Sequence, residues 1–584
     1  MISRSWCAPI AALLVLTSGE TLAQEARPAP EQATGRIQQA TVYAQDFMVA
    51  AAHPAASEAG LAVLEAGGNA IDAMVAVQMM LNFVEPQSSG IGGGAFLVYF
   101  DAETGSVRTF DGRETAPKVA GPNLFLGLDG EPMEFFDAVV GGRSVGTPGT
   151  LKLMEETHAL YGTKPFAELL QPAIDLAEEG FEVGPRLAGQ LTGDGAARLQ
   201  TFETARDYFF PGGKALQAGD IVRNPEFAET LRRVVEEGTE VFYGGEIGQA
   251  IVETVRTAPG RPGLLSIEDL EAYEIVEREP VCHPYRVYEV CGMGPPSSGA
   301  TTVGQILGLL EHFDMASLGP DDPNAWHLFS EAGKLAFADR AMFLADADFV
   351  DVPVDGLLDP AYLTARAQSI SLDEAAAAPV AHGNPPWRAR RAQGPDTSPG
   401  RAGTSHVSIV DADGNAVSLT TTIEGGFGSQ LMVGGFLLNN ELTDFSLSPR
   451  DDAGRPIANR VEGGKRPRSS MAPTIVLEDG ELELVIGSPG GVSIIGYVAQ
   501  ALVATLDWNL ELQAAIDLGH VFNANGPTTL EAGTEAERFA DELTARGHEV
   551  RIGDMNSGLH AIRVEDGGLA GAADPRREGL VLGR

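Results

Sequence analysis

Residues 401–429 read "RAGTSHVSIVDADGNAVSLTTTIEGGFGS", and the character of the chain changes abruptly at Thr404. Upstream, residues 374–403, "EAAAAPVAHGNPPWRARRAQGPDTSPGRAG", carry Pro, Gly, Ala and Arg without apolar periodicity. That composition predicts a linker or flexible arm. Downstream, "TSHVSIV" and "AVSLTTT" alternate as strands do, and Asp413-Gly414 between them is a hairpin signal. A two-residue turn would set Thr404 opposite Ile423. A three-residue turn with Gly414 left-handed would set it opposite Thr422. In both registers Thr422 lies within one step of Thr404.

A strand that begins on threonine directly after a cleavable arm has a chemical use. A threonine hydroxyl is a weak nucleophile until a base takes its proton. Cutting between Gly403 and Thr404 would free an α-amine with a pKa of roughly 7.7–8.0. That base would sit on the same residue as the hydroxyl. Gly403 has no side chain, so the peptide can bend for self-attack. From the hairpin alone, however, Thr404 is also an ordinary β-branched strand residue.

The rest of the chain narrows the class. It has 584 residues, 44% hydrophobic and 21% charged, as in globular proteins of one large or a few smaller domains. A formal net charge of −41 excludes nucleic acid and anionic membrane as main partners. At the N-terminus, Arg4, the apolar run of residues 8–16 and Thr21-Leu22-Ala23 predict a signal peptide over residues 1–23. The apolar run is too short to span a bilayer, which points to a periplasmic or secreted destination. Cys7 would leave with the signal, so Cys282 and Cys291 of "PVCHPYRVYEVCG" remain in an oxidising compartment. Whether they pair depends on where that hairpin turns, expected at residues 283–286. Neither HExxH nor CxxC is present, and no metal or cofactor is expected.

Along the chain, "SEAGLAVLEAGGNAIDAMVAVQMMLNFVEP" predicts two helices, the first capped by Ser57, with a break at Gly67-Gly68 and an end at Pro86. A glycine loop then leads into strands over residues 95–100 and up to Arg113. Residues 150–372 look mostly helical, apart from the cysteine hairpin. From Thr404 strands dominate again, "GFLLNN" and "TIVLEDGELELVIG" among them, before the helix "IIGYVAQALVATLDW". Strand-rich segments at both ends imply one shared core. "GRSVG" at residues 142–146 matches a nucleophile elbow but lacks Asp and His in the required order. "GIGGGA" at residues 90–95 has a helix before and a strand after, the reverse of a dinucleotide fingerprint.

Six segments, "GTSHVSIVDADGNAVSLTTTIEGGFGS", "FLLNNELTDFS", "GKRPRSSMAPTIV", "GSPGG", "FDGRETAP" and "GGNAIDAMVAVQ", together resemble the gamma-glutamyltransferase family of N-terminal-nucleophile hydrolases. The resemblance runs in order from about residue 50 to the C-terminus. It implies an α+β fold, a four-layer αββα sandwich formed jointly by two subunits of one self-cleaving precursor. The large subunit would be residues 24–403, with the arm at its end, and the small one residues 404–584. Thr404 matches the family nucleophile, and Thr422 the threonine that orients it. Gly490 and Gly491 match the oxyanion-hole amides. Arg113, helped by Ser469 and Ser470, matches the grip on the substrate α-carboxylate. Glu441 and Asp444 match contacts to its α-ammonium. The implied substrates are a small γ-glutamyl donor such as glutathione and an amino acid, peptide or water acceptor, without a cofactor.

Two departures stand out. Glu424 occupies a position where many members carry asparagine; as a second acid it is expected to bind the ammonium. The loop of residues 445–468 has no tyrosine or tryptophan with which to cover the pocket. An acylase that removes glutaryl groups from cephalosporin-type β-lactams is the nearest alternative. A periplasmic binding protein that has lost cleavage is a more distant one, disfavoured by Gly403, Thr404 and Thr422.

Overall fold

The computed structural model describes residues 35–387, 393–396, 398 and 403–584; the predicted signal, residues 1–23, lies outside them. Two seven-stranded sheets form its centre. In spatial order the first runs Leu580–Gly583, Met48–Ala51, Thr404–Val410, Ala416–Thr422, Gly94–Asp101, Ser106–Gly112, Val276–Arg278. The second runs Val42–Ala44, Gly568–Ala573, His560–Glu565, Glu481–Gly487, Thr474–Glu478, Tyr288–Gly292, Val281–Tyr285. Every pairing in both is antiparallel.

The period of two along each strand builds the layers. On the first sheet, Val49, Leu97, Val407, Ile409 and Leu419 pack with residues of helices Pro54–Glu65 and Ala70–Val84. Their neighbours Met48, Ala50, Phe96 and Val98 turn the other way and pack with Ile475, Val485 and Ile562 of the second sheet. Helices Gly299–Leu310, Pro323–Phe343 and Ile494–Leu506 join that same core from beyond. The order helix, sheet, sheet, helix is the expected αββα sandwich.

The central hairpin adopts the three-residue alternative. Thr404 pairs with Thr422 and Val410 with Ala416, while Gly414, at φ 85°, donates its N–H to Asp411 O (3.0 Å). Cys282 and Cys291 face each other across the neighbouring hairpin and form a disulfide. Its turn lies at Arg286 and Val287, between strands Val281–Tyr285 and Tyr288–Gly292, later than the sequence suggested.

Other details depart from the sequence reading. The first helix is capped by His53, whose Nδ1 accepts from Ala55 N (3.2 Å), with Pro54 in the first turn. Ser57 lies inside that helix and donates to Leu580 O (2.7 Å), which ties it to the C-terminal strand. Of "GFLLNN", only Phe436–Leu437 is strand, paired with Met432–Val433 outside both sheets. The described part of residues 374–403 is anchored. Ala376 N donates to Glu331 (3.0 Å), Gly383 N to Asp339 (2.6 Å) and Gly394 N to Pro456 O (3.0 Å). Single backbone contacts of this kind leave no periodic trace in a sequence.

Candidate active site

Thr404 shares a strand face with His406 and Ser408, and Ser408 Oγ donates to His560 O (3.0 Å) of the second sheet. Alternation therefore turns Thr404 toward the space between the sheets, at their open end. Thr404 Oγ1 donates to Thr422 Oγ1 (3.3 Å). Thr422 in turn donates to the carbonyl of Gly403 (2.6 Å) and accepts from Glu424 N (2.8 Å). The hydroxyl across the hairpin thus bonds both the hydroxyl of Thr404 and the carbonyl that precedes it. A Cβ on Gly403 would stand 2.4 Å from Glu424 O, so this position has room only for glycine. Gly93 is confined in the same way, 2.0 Å from Thr422 O, which accounts for the glycine loop.

Thr404, Thr422, Glu424, Glu441, Asp444, Arg113, Ser469, Ser470 and Gly491 line one pocket, with Arg340 and Arg468. Gly490 precedes Gly491 directly, and both have positive φ, 135° and 58°. They follow strand Glu481–Gly487 of the second sheet and open into helix Ile494–Leu506. Tyr497 closes in behind Gly490, where a Cβ would meet its ring at 2.5 Å. All ten residues singled out from the sequence at or around the pocket therefore converge, from segments far apart in the chain.

The charge pattern is unusual. Arg113, 1% exposed, bonds Glu441 through Nη1 and Asp444 through Nη2 (2.5 Å). Burial presses against its charge, but these carboxylates more than offset that and hold it protonated. Glu424 and Glu114 lie close by and are also buried. Burial first, and then the neighbouring acids, push Glu424 and Glu114 well above the usual carboxylate range. Burial also raises Glu441 and Asp444, although Arg113 opposes it. Burial and mutual repulsion thus favour protons on this cluster of four acids, with Arg113, and at Asp444 also Arg340 and Arg468, acting against them. Asn440 Nδ2 donates to Glu424 Oε2 (2.5 Å), fixing that side chain.

Several residues of the site escaped the sequence reading. Glu85, at the end of helix Ala70–Val84, accepts from Ser405 Oγ (2.7 Å) and from Arg186 Nε (3.1 Å). Arg577, near the C-terminus, donates to Thr404 O (3.1 Å). These groups brace the strand around Thr404 from both ends of the chain. Glu114 adjoins Arg113 in sequence and was within reach of the same motif. Asn459 donates to Asp444 O (2.7 Å) and Asp396 (3.0 Å), so the loop of residues 445–468 is pinned at its middle. "GRSVG" forms no elbow: Ser144 Oγ donates to Val139 O (2.5 Å), inside a short 3₁₀ turn.

Comparison with known proteins agrees with this geometry. A family model described as Gamma-glutamyltranspeptidase matches residues 56–583. A glutathione hydrolase proenzyme of Bacillus subtilis (strain 168) is 37% identical, with 100% of this chain and 99% of the relative covered. An acylase ACY 1 proenzyme of Pseudomonas sp. (strain V22) is 38% identical over 92% of this chain and 93% of its own. Among solved structures, a cephalosporin acylase from Bacillus halodurans superimposes with a TM-score of 0.79 at 28% identity, covering 94% and 97% of the two chains.

Proposed function

Because the chain belongs to the gamma-glutamyltranspeptidase family, we propose that it is a secreted, self-processing enzyme that hydrolyses or transfers the γ-glutamyl group of glutathione and related donors. The observation that carries this reading is the contact of Thr422 Oγ1 with both Thr404 Oγ1 and Gly403 O. In the uncut chain, Thr422 polarises the carbonyl that Thr404 would attack. Attack breaks the Gly403–Thr404 peptide bond, passes the acyl group to the hydroxyl and frees the α-amine. Water then releases Gly403 as a carboxylate and restores the hydroxyl.

In the mature site the α-amine takes the Thr404 proton as the hydroxyl adds to the γ-amide carbon of the donor. The Gly490 and Gly491 amides would meet the oxyanion. The amine product leaves with the proton, and a γ-glutamyl ester remains on Thr404. Water or an amino acid opens that ester. Arg113, Ser469 and Ser470 hold the donor's α-carboxylate, while Glu424, Glu441 and Asp444 hold its α-ammonium.

The 38% identity to an acylase proenzyme favours a second reading, with glutaryl amides as donors. Both donors present a carboxylate; only the γ-glutamyl donor carries an ammonium. Asp444→Asn should therefore lower kcat/KM for a γ-glutamyl anilide roughly tenfold or more, since a charge-assisted contact is worth about 1.5–3 kcal/mol. The rate with a glutaryl anilide should hold or rise. Equal losses on the two donors would remove Asp444 from substrate recognition. A wild-type preference for the glutaryl anilide would overturn the γ-glutamyl assignment in favour of the acylase.

A further inference from the structure

The pocket has two sides of opposite character. Arg113, the cation expected to grip the donor's carboxylate, is already bonded to Glu441 and Asp444. Of the pocket's remaining cations, Arg468 pairs with Asp396 (2.9 Å). Arg340 is different. It sits near the end of helix Pro323–Phe343, is 9% exposed, and faces no carboxylate within ion-pair distance among the described residues. Its Nε donates to Ser298 Oγ (2.8 Å) and its Nη2 to Ser470 Oγ (2.6 Å). Its Nη1 has no hydrogen-bond acceptor among the described residues.

A nearly buried guanidinium whose partners are two hydroxyls and the face of Phe337 (5.7 Å to the ring centre) is costly to keep charged without an anion. Burial and the adjacent Arg468 both press on it in that direction, opposed in part by Asp396 and Asp444 from beyond ion-pair distance. The hydroxyls it touches lead to the two serines of the pocket. Ser470 accepts from Arg340, which leaves its own proton free to point elsewhere. Ser298 Oγ donates to Ser469 O (2.6 Å), and its N–H reaches the same oxygen (2.8 Å). Arg340 thus fixes Ser470 directly and the Ser469 backbone through Ser298.

We propose that Arg340 is a second carboxylate anchor of the donor subsite, adding net positive charge beside Arg113, whose own charge Glu441 and Asp444 already balance, and orienting Ser470 to donate to the same carboxylate. The inference rests on reading this pocket as the acyl-donor site. It holds for γ-glutamyl and glutaryl donors alike, because both end in a carboxylate.

The test compares ligands that carry a carboxylate with ligands that lack one. Binding of glutarate and of butyramide to the processed enzyme is measured by calorimetry, alongside KM for glutaryl, γ-glutamyl and 4-aminobutyryl anilides. Arg340→Gln should weaken glutarate roughly tenfold or more, since it removes a charge-assisted contact. It should raise KM for the two carboxylate-bearing anilides and leave butyramide and the 4-aminobutyryl anilide unchanged. A merely structural role would shift all the ligands together. Should Arg340→Gln fail to fold, Arg340→Lys keeps the charge but loses the fork to Ser298 and Ser470, and a smaller loss confined to the carboxylate ligands is expected. Unchanged glutarate affinity, or equal losses on every ligand, would overturn the proposal. A wild type that binds glutarate through Arg340 but turns over only glutaryl anilides would overturn the γ-glutamyl reading and leave this one standing.

Discussion

At Gly403 a single missing side chain decides whether the chain can reach the geometry for self-cleavage. Its carbonyl accepts from Thr422 while its Cα lies against the backbone of Glu424 and Gly425. A methyl group 2.4 Å from a carbonyl oxygen must push one of the two strands away. Gly403→Ala is therefore expected to slow processing strongly while leaving the fold intact, read as uncut precursor accumulating on a denaturing gel. Normal processing of the variant would show that Gly403 serves only as a turn. The sequence pointed to this glycine for its flexibility, but the close contact with residues 424–425 arises only when the hairpin closes. The acid cluster is similar. Arg113 and Glu441 are each legible within their motifs, yet their pairing joins positions more than three hundred residues apart. No local pattern could reveal that Arg113 is already occupied.

Elements with a strong period were readable in advance. The hairpin of strands Thr404–Val410 and Ala416–Thr422 follows from alternation and Asp413-Gly414, and its register from the left-handed Gly414. The misplaced cap at Ser57 shows the limit: serine is a favoured cap, but His53 before Pro54 did the same work earlier. Helix Pro323–Phe343 also brings together groups whose spacing suggested nothing. His327 Nε2 donates to Ser371 O (2.8 Å), which leaves Nδ1 to accept from His548 Nε2 (2.8 Å); His548 Nδ1 accepts from Thr528 Oγ1 (3.1 Å). With both rings neutral, every one of these contacts is satisfied. Burial first, and then nearby Lys334, hold His548 down at about 3. The unfolded chain takes up that proton below a pH of roughly 6.5 and the folded protein does not, so stability falls as pH drops through this window. The raised carboxylates of the pocket act in the opposite sense, so the comparison requires a variant. His548→Gln should lose less melting temperature than wild type between about pH 7 and about pH 5. An identical loss would mean that the pair is charged in the folded protein.

On the scale of the whole molecule, the residues on either side of the proposed cut cannot be sorted into separate bodies. Strand Thr404–Val410 lies between Met48–Ala51 and Ala416–Thr422, and Leu580–Gly583 covers the far edge of Met48–Ala51. Both sheets mix strands from before and after residue 403. Cleavage would sever one peptide bond and leave every ladder and both main cores in place. It would be invisible to any method that reads only size in the native state. The most direct measurement is therefore N-terminal sequencing of the purified protein after denaturing electrophoresis, set beside its native size. Self-processing at Gly403–Thr404 predicts one native species that separates into two chains, the smaller beginning Thr-Ser-His-Val from Thr404, and a single chain in Thr404→Ala. An active wild-type protein that remains a single chain, or one cut at any other bond, would contradict it.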